Sequence, residues 1–309
     1  MNSFNINRFG KTFRWVLATN FRNFLAWTLG AAVGVFLMEI ILIVFSIRPD
    51  GGNYVRVLDS DISPVCQIAL LIFVLVALST GFADYLKKTK REAFLMLPST
   101  NMEKYLAVVL YVTVVWSLAG FLAFAVGDTL RMAARALLYG NEWYSLVPRI
   151  LEMFGDMIRP YNDGIMIETI PYKICAPIAI CGLFIWIHST YVLGGTLLRK
   201  YTFVASSLVI ILTAVLMAWM SDKFHFQFFY VDNVLDGQSM EALRQSGALD
   251  ANGPIPAKSV QVLHKVGVLG YFMTVALPLL SVFNYWASFH IFKGFQLITN
   301  KWTNYDFHK

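Results

Sequence analysis

Residues 24–45, FLAWTLGAAVGVFLMEIILIVF, form an apolar run whose only charged side chain is Glu39. A bilayer core about 30 Å thick requires about 20 apolar residues in a helix, because every backbone polar group there must be bonded within the segment. This run meets that length, and it therefore predicts a transmembrane helix.

Five further apolar runs reach the same length, and none of them contains Asp, Glu, Lys or Arg. The six runs predict an all-α, polytopic integral membrane protein with about six transmembrane helices, built as a single domain over residues 1–309. The five further runs are residues 65–82, 105–126, 174–198, 201–220 and 266–292.

The composition agrees with this fold class. Hydrophobic residues make up 57% of the chain and charged residues 14%, with a mean hydropathy of +0.59. Soluble domains carry roughly 45–50% apolar and about 25% charged residues. The net charge of +6 is dispersed between the apolar runs, which favours a role in membrane topology over nucleic-acid binding.

The distribution of Lys and Arg between the loops predicts the orientation of the spans across the membrane. The N-terminus, residues 84–104, residues 199–200 and the tail after residue 292 together hold 14 of the 25 basic residues and 4 of the 19 acidic ones. The positive-inside tendency places this side, with both termini, in the cytoplasm. We expect a bacterial cytoplasmic membrane, with residues 127–173 and 221–265 as extracytoplasmic loops.

A helical stripe of Leu130, Ala134, Leu137 and Leu138 predicts that the third span extends beyond the bilayer.

Residues 1–23 show the pattern of a basic amphipathic helix. Such a helix lies at the membrane interface, with its apolar side in the acyl boundary and its cations near anionic headgroups. It acts as a topology anchor or, alternatively, as an elbow that packs against the span ends and a cytoplasmic partner. The apolar side carries Ile6, Phe9, Phe13, Leu17 and Phe21, and the cations are Lys11, Arg14 and Arg22.

The cytoplasmic loop 84–104 contains a basic, an apolar and a helix-capping part in succession. A basic stretch at 87–91 precedes five apolar residues at 93–97, and Pro98 follows. Thr100 and Glu103 have the spacing of a capping box at the start of the third span. Because exposed apolar residues are costly in water, we expect a partner surface or the membrane to cover residues 93–97.

This loop resembles a segment of a known family. Residues 90–104, KREAFLMLPSTNMEK, are similar to the loop that precedes the third of six helices in permease subunits of ABC-2-type ABC transporters. The N-terminal amphipathic helix and the cytoplasmic termini match that layout. The resemblance implies a loop that couples to an ATP-binding subunit. The candidate coupling residues are Arg91, Phe94, Leu95, Leu97, Pro98, Glu103 and Lys104.

The same resemblance implies the partners and the mode of action. A separate ABC ATP-binding subunit would bind ATP and Mg and energise export, and a second copy or a related permease would complete the pathway within membrane lipids. We expect that this chain itself is not an enzyme and binds neither a cofactor nor a metal. Gly10-Lys11-Thr12 resembles the end of a phosphate-binding loop, but position 5 is Asn5 where the loop requires glycine.

Two ionisable residues within the spans are candidates for a polar site, Glu39 and His188. A charge in a span is costly unless it faces protein or water. Glu39 either reaches the outer interface, bonds a neighbouring helix or lines a pathway, and His188 suits an interhelical hydrogen bond or a proton site. Gly30 and Gly34 have the spacing of a close-packing site within or between subunits.

Two alternative functions remain open from the residues alone. The chain could act as a stand-alone secondary transporter or membrane enzyme, or as a non-transport scaffold or sensor whose outer loops bind a partner. Proton-coupled transport usually requires several intramembrane acids or bases. Glu39 and His188 are the candidates in the interior of the predicted spans, since His290 lies near the end of the sixth.

Overall fold

The computed structural model describes residues 4–46, 54–82, 88–139, 143–156, 166–198, 200–234 and 261–294. Six helices among these residues are long and apolar enough to cross a membrane. The all-α, polytopic membrane fold is therefore confirmed. Parts of the predicted loops lie outside the described residues, namely 84–87, 140–142, 157–165 and 235–260, as does the tail after residue 294.

Eight helices are assigned within the described residues. Two of them contain a π-helical turn, a one-turn widening that occurs often at functional positions. The helices are α1 (Ile6–Ser46), α2 (Tyr54–Val57, π turn Leu58–Ile62, Ser63–Gly81), α3 (Lys88–Leu95), α4 (Asn101–Leu110, π turn Tyr111–Val115, Trp116–Tyr139), α5 (Val147–Asp156), α6 (Ile170–Leu197), α7 (Thr202–Phe224) and α8 (Val268–Lys293).

The predicted N-terminal amphipathic helix forms the first part of α1. This helix is continuous over 41 residues, with no interruption at the boundary near residue 23. At 1.5 Å per residue it rises about 60 Å, twice the thickness of a bilayer core. Within this first part, Thr12, Val16 and Asn20 are buried, whereas Lys11 and Arg14 are exposed. The segment therefore packs on the protein through a face of small and polar residues.

Helix α4 extends well past the predicted third span. It continues to Tyr139, and Leu137 and Leu138 near its end are 88% and 73% exposed. The stripe that predicted this extension is thus confirmed as helical. Asp128 and Arg131, which the sequence placed in an outer loop, lie on α4 and are fully buried.

A small sheet of strands β1 (Met166–Glu168), β2 (Phe229–Val234) and β3 (Gln261–Val266) was not predicted. β3 is central; β1 pairs with it in parallel, and β2 pairs with it antiparallel. The strand β2 has the sequence FYVDNV, in which aromatic and β-branched residues favour a strand. The pairing of β1 with β3 joins parts of the chain that lie almost one hundred positions apart, so local pattern alone does not reveal the sheet.

The chain folds as two compact units. Unit 1 comprises residues 1–154, 188–209 and 283–309, and so contains α1 to α4, most of α5 and one end of each later helix. Unit 2 comprises residues 155–187 and 210–282, with the sheet and the remaining parts of α6, α7 and α8.

Unit 2 is held together by close contacts of α6 with α8 and with the sheet. A Cβ added to Gly182 on α6 would lie 3.3 Å from Leu277 and Pro278 on α8. Thr169, just before α6, donates its hydroxyl to the backbone carbonyl of His264 on β3 at 2.8 Å. Tyr172 on α6 contacts the ring of His264, with centroids 5.0 Å apart. These contacts fix the start of α6 against the sheet.

The most extensive helix contact in unit 1 joins α1 to α4. At its centre, a Cβ added to Gly127 would lie 2.9 Å from the backbone oxygen of Ala32 and 2.8 Å from a methyl of Val35. Only glycine allows this approach, because the backbone oxygen cannot move aside as a flexible side chain could.

Gly30 and Gly34 lie on an open side of α1. A Cβ added at either position would meet no atom within 4 Å among the described residues. The predicted close-packing site therefore has no packing partner within that part of the chain.

Gly127→Ala should lower the free energy of unfolding by about 1–3 kcal/mol, the usual cost of overpacking. Thermal unfolding of the detergent-solubilised protein measures the change. Gly10→Ala on α1 is the matched control, because an added Cβ there meets nothing within 4 Å. An equal effect of the two substitutions would contradict the close approach at Gly127.

Candidate functional site

Residues 88–104, here called the coupling segment, lie in unit 1 at the predicted cytoplasmic ends of α1, α4 and α8. The predicted capping box is confirmed. The Thr100 hydroxyl accepts a bond from the Glu103 amide at 3.3 Å, and the Glu103 carboxylate accepts one from the Thr100 amide at 2.9 Å. This reciprocal pair fixes the first turn of α4.

Glu103 also holds the beginning of α1. Its Oε1 accepts bonds from the backbone amide of Asn5 and from the guanidinium of Arg8, both at 2.8 Å. Glu103 is fully buried, and the Arg8 side chain is 23% exposed. Removal of one partner would leave a buried charge unpaired, so this ion pair is a strong link between the starts of α1 and α4.

Helix α3 is clamped against its neighbours by charged and aromatic side chains. Lys104 donates to the carbonyl of Leu95 at 2.8 Å, which satisfies a free carbonyl at the end of α3. Lys90 donates to the side-chain oxygen of Asn20 on α1 at 3.0 Å. Phe94 is 1% exposed; its ring lies 5.9 Å from that of Trp15 on α1 and 6.1 Å from that of Phe292 on α8.

The candidate coupling residues thus divide into two groups. Arg91, Phe94, Glu103 and Lys104 are buried, and the contacts of the last three hold the segment in place, whereas Leu95 and Leu97 are half-buried and Pro98 is exposed. We expected a partner or the membrane to cover residues 93–97. Helices α1 and α8 of the same chain provide part of that cover.

The exposed tip of the coupling segment consists of Ala93, Met96 and Pro98. Met96 is 83% exposed, although its side chain is large and apolar. Sequence reasoning did not single out Met96. The helical spacing of α3 could have found it, since Met96 lies five positions after Arg91 and therefore on the opposite face from the buried Arg91 and Phe94.

Glu39 belongs to a buried cluster with Asp128 and Arg131 of α4, here called the outer ion cluster. Arg131 donates from Nε to Glu39 at 3.0 Å and also bonds Asp128 through its terminal nitrogen. All three side chains are fully buried. Of the alternatives left open for Glu39, the bond to a neighbouring helix is the one observed.

The chain after α4 completes this cluster. Asp128 accepts bonds from the Ser145 hydroxyl at 2.7 Å and the Leu146 amide at 3.0 Å. Arg131 donates to the carbonyl of Tyr144 at 2.6 Å. The surrounding residues form an apolar core of Ile43, Leu58, Ile62, Cys66, Phe124, Leu146 and Ile150. The cluster therefore pins the α4–α5 connection onto α1 and α2.

Tyr144 links the same connection to the π turn of α2. Its hydroxyl donates to Asp59 at 2.8 Å. This hydrogen bond to a carboxylate, followed by burial, raises the pKa of the Tyr144 phenol above its usual value. Tyr144 therefore keeps its proton at neutral pH and the bond persists there.

His188 lies apart from the outer ion cluster, in a lateral cleft of unit 1. One ring nitrogen bonds the Thr113 hydroxyl at 2.7 Å and the other bonds the Tyr285 hydroxyl at 2.5 Å. Both nitrogens are thus satisfied, as expected for an interhelical histidine. Thr113 lies in the π turn of α4, and this widened turn carries the hydroxyl that meets His188.

The lateral cleft has a volume of about 660 Å³ and is almost wholly apolar. It runs along α4 beside the end of α8, with one residue from α1 and one from α6. Its walls are Phe9, Met102, Tyr105, Leu106, Val109, Leu110, Thr113, Val114, His188, Tyr285, Trp286 and Phe289. A cleft of this size and character suits the apolar part of a ligand.

No group of three or more His, Cys, Asp or Glu side chains in the part of the chain that the structure describes is placed to hold a metal ion.

Comparisons with protein-family models, with curated proteins and with solved structures gave no match.

Arg131→Met should lower the free energy of unfolding by about 3–5 kcal/mol, because it leaves the buried carboxylates of Glu39 and Asp128 without their guanidinium. Denaturant unfolding in detergent, followed by tryptophan fluorescence, measures the loss.

Arg149→Met is the matched control. Arg149 pairs with Glu152 at 3.5 Å, but the two side chains are 43% and 64% exposed. Exposed pairs contribute roughly 0–1 kcal/mol, so this variant should unfold almost as wild type does. Similar losses in the two variants would show that the outer ion cluster is not the stabilising element described here.

Proposed function

We propose that this chain is the membrane-spanning permease subunit of an ATP-driven exporter of the ABC-2 type, in a bacterial cytoplasmic membrane. The observation that carries the proposal is the coupling segment. Buried side chains fix it to the ends of three spanning helices, and it presents an exposed apolar tip. The resemblance of residues 90–104 to the coupling loop of that family supports the same function.

The tip has the properties of a protein-docking point. Met96 and Pro98 are exposed outside the predicted spans, next to the half-buried Leu95 and Leu97. Methionine adapts its shape to a partner surface and is enriched at protein interfaces. The partner is a separate ABC ATP-binding subunit, on which ATP and Mg bind and hydrolysis occurs.

The contacts of the segment provide a route for motion. A displacement of α3 would act on α4 through the Lys104 bond, on α1 through the Lys90 bond and the Trp15 contact, and on α8 through Phe292. Interior packing is dense and transmits strain, so these contacts can move the span ends together. This is the linkage that an ATP-driven permease requires.

A second permease copy, or a related permease, would complete the pathway. The open side of α1 at Gly30 and Gly34 supports this part of the proposal, since small residues at this spacing allow a helix of another subunit to approach closely.

The stand-alone transporter has weaker support. Proton or ion coupling needs acids or bases that can reach a water-filled path. Glu39, Asp128 and Arg131 are fully buried and paired with one another, and both nitrogens of His188 are bonded. These groups are used in holding helices together.

Affinity purification of the tagged chain from native membranes in mild detergent should recover a stoichiometric ATP-binding subunit with ATPase activity. Met96→Asp should reduce the recovered ATPase by at least about tenfold, which corresponds to 1.4 kcal/mol of binding energy. The reason is that a carboxylate would be placed in an apolar contact.

Leu137→Asp is the control, since Leu137 is 88% exposed but lies at the opposite end of α4. It should leave the recovered ATPase unchanged. An ATPase-free eluate from the wild-type protein, or equal recovery with Met96→Asp, would contradict the proposed permease function.

A further inference from the structure

The lateral cleft has an elongated shape that matches one leaflet of a bilayer. Its walls follow α4 from Met102, in the first turn, to Val114. At 1.5 Å per residue this stretch rises about 18 Å, close to half of a hydrocarbon core of about 30 Å. Met102 lies at the predicted cytoplasmic end of α4, so the cleft spans the cytoplasmic leaflet.

The walls of the cleft are almost wholly apolar, and the cleft is open on one side. Because it lies along a membrane span over the depth of one leaflet, its open side faces the acyl chains of the bilayer. Acyl chains are apolar and reach the cleft without displacing any part of the protein, so a lipid is the occupant that its position favours.

A cation stands at the cytoplasmic end of the cleft. Lys293, the last residue of α8, places its ammonium 5.1 Å from the ring centroid of Phe289, one of the walls. Lys293 is exposed, and no carboxylate of the described residues forms an ion pair with it. Glu103 follows the wall residue Met102 in the sequence, but its carboxylate already pairs with Arg8. The free positive charge at this end favours an anionic headgroup.

The inner end of the cleft accepts an apolar chain end without penalty. His188, Thr113 and Tyr285 are the polar residues there, and they bond one another. An apolar occupant therefore does not leave their hydrogen-bonding groups unsatisfied. Trp286 is 61% exposed and forms part of the wall, where it can report on whatever fills the cleft.

We propose that the lateral cleft is a binding site for an anionic phospholipid of the cytoplasmic leaflet, with its acyl chains along α4 and its phosphate at Lys293. The site does not depend on the proposed export function, because it requires only the walls of unit 1 and the charge of Lys293.

The test uses the full-length protein in phosphatidylcholine vesicles that contain equal fractions of either dibrominated phosphatidylglycerol or dibrominated phosphatidylcholine. Bromine quenches the fluorescence of a tryptophan that it contacts. The brominated anionic lipid should quench more strongly than the brominated zwitterionic one, and the excess should disappear in Trp286→Phe.

Two variants and two matched controls probe the charge and the space separately. Lys293→Gln should lower the preference for the anionic lipid about fivefold, the effect of one cation near an anionic surface. Val109→Phe should remove the excess quenching by filling the cleft. Lys11→Gln, an exposed cytoplasmic-side lysine on α1, and Leu118→Phe, on α4 but outside the cleft walls and 59% exposed, should behave as wild type.

Equal quenching by the two brominated lipids would overturn the proposal. So would an anionic excess that survives unchanged in Lys293→Gln, or one that survives in a folded Val109→Phe. Lys293 is exposed, so Lys293→Gln should fold normally and decides the question even where Val109→Phe does not fold. A dimer that dissociates with Val109→Phe, without any lipid preference, would instead identify the cleft as a subunit interface and also overturn it.

Discussion

The pairing of α1 with α4 is the constraint on which unit 1 depends. Two buried carboxylate–guanidinium pairs hold it, Arg8 with Glu103 at one end and Glu39 with Arg131 at the other. Each helix contributes one acid and one base, and Gly127 allows close contact between the two ends. The earlier residue of α1, Arg8, pairs with the earlier residue of α4, Glu103, and the later residue of α1, Glu39, pairs with the later residue of α4, Arg131, so the helices run parallel. Charged groups are expensive within a membrane protein, and here their cost is offset by fixing the register of the two longest helices.

Much of the fold could be predicted from the sequence, because membrane spans are determined by local composition. Six apolar runs of sufficient length gave six helices, and Thr100 with Glu103 gave the capping box. The partner of Glu39 could not be predicted, since Arg131 lies far away in sequence and beyond the apolar part of the third span. The sheet escaped prediction for the same reason, because β1 and β3 pair across almost one hundred positions.

The candidate site was predictable as a segment but not residue by residue. The sequence located the coupling segment, whereas the orientation of α3 decides which of its side chains are available to a partner. Phe94 and Met96 are two positions apart and equally apolar, yet one is 1% and the other 83% exposed. Their difference arises from Trp15 and Phe292, which belong to opposite ends of the chain. For His188 the sequence indicated an interhelical role, but it could not identify Thr113 and Tyr285 as the partners.

The π turn at Tyr111–Val115 sets the rotational phase between the two ends of α4. One residue of an α-helix corresponds to about 100° of rotation about the axis. If the same residues wound as regular α-helix, with none lost, the outer half of α4 would rotate relative to the inner half by most of that angle, because a π turn uses more residues for one full turn than an α turn does. Glu103 could then still face Arg8, but Gly127 and Arg131 would turn away from α1, and the two ion pairs could not form together. The length of α4 and its π turn are therefore matched: a change of one residue between Glu103 and Gly127 preserves both ion pairs only where the turn closes or widens to absorb it.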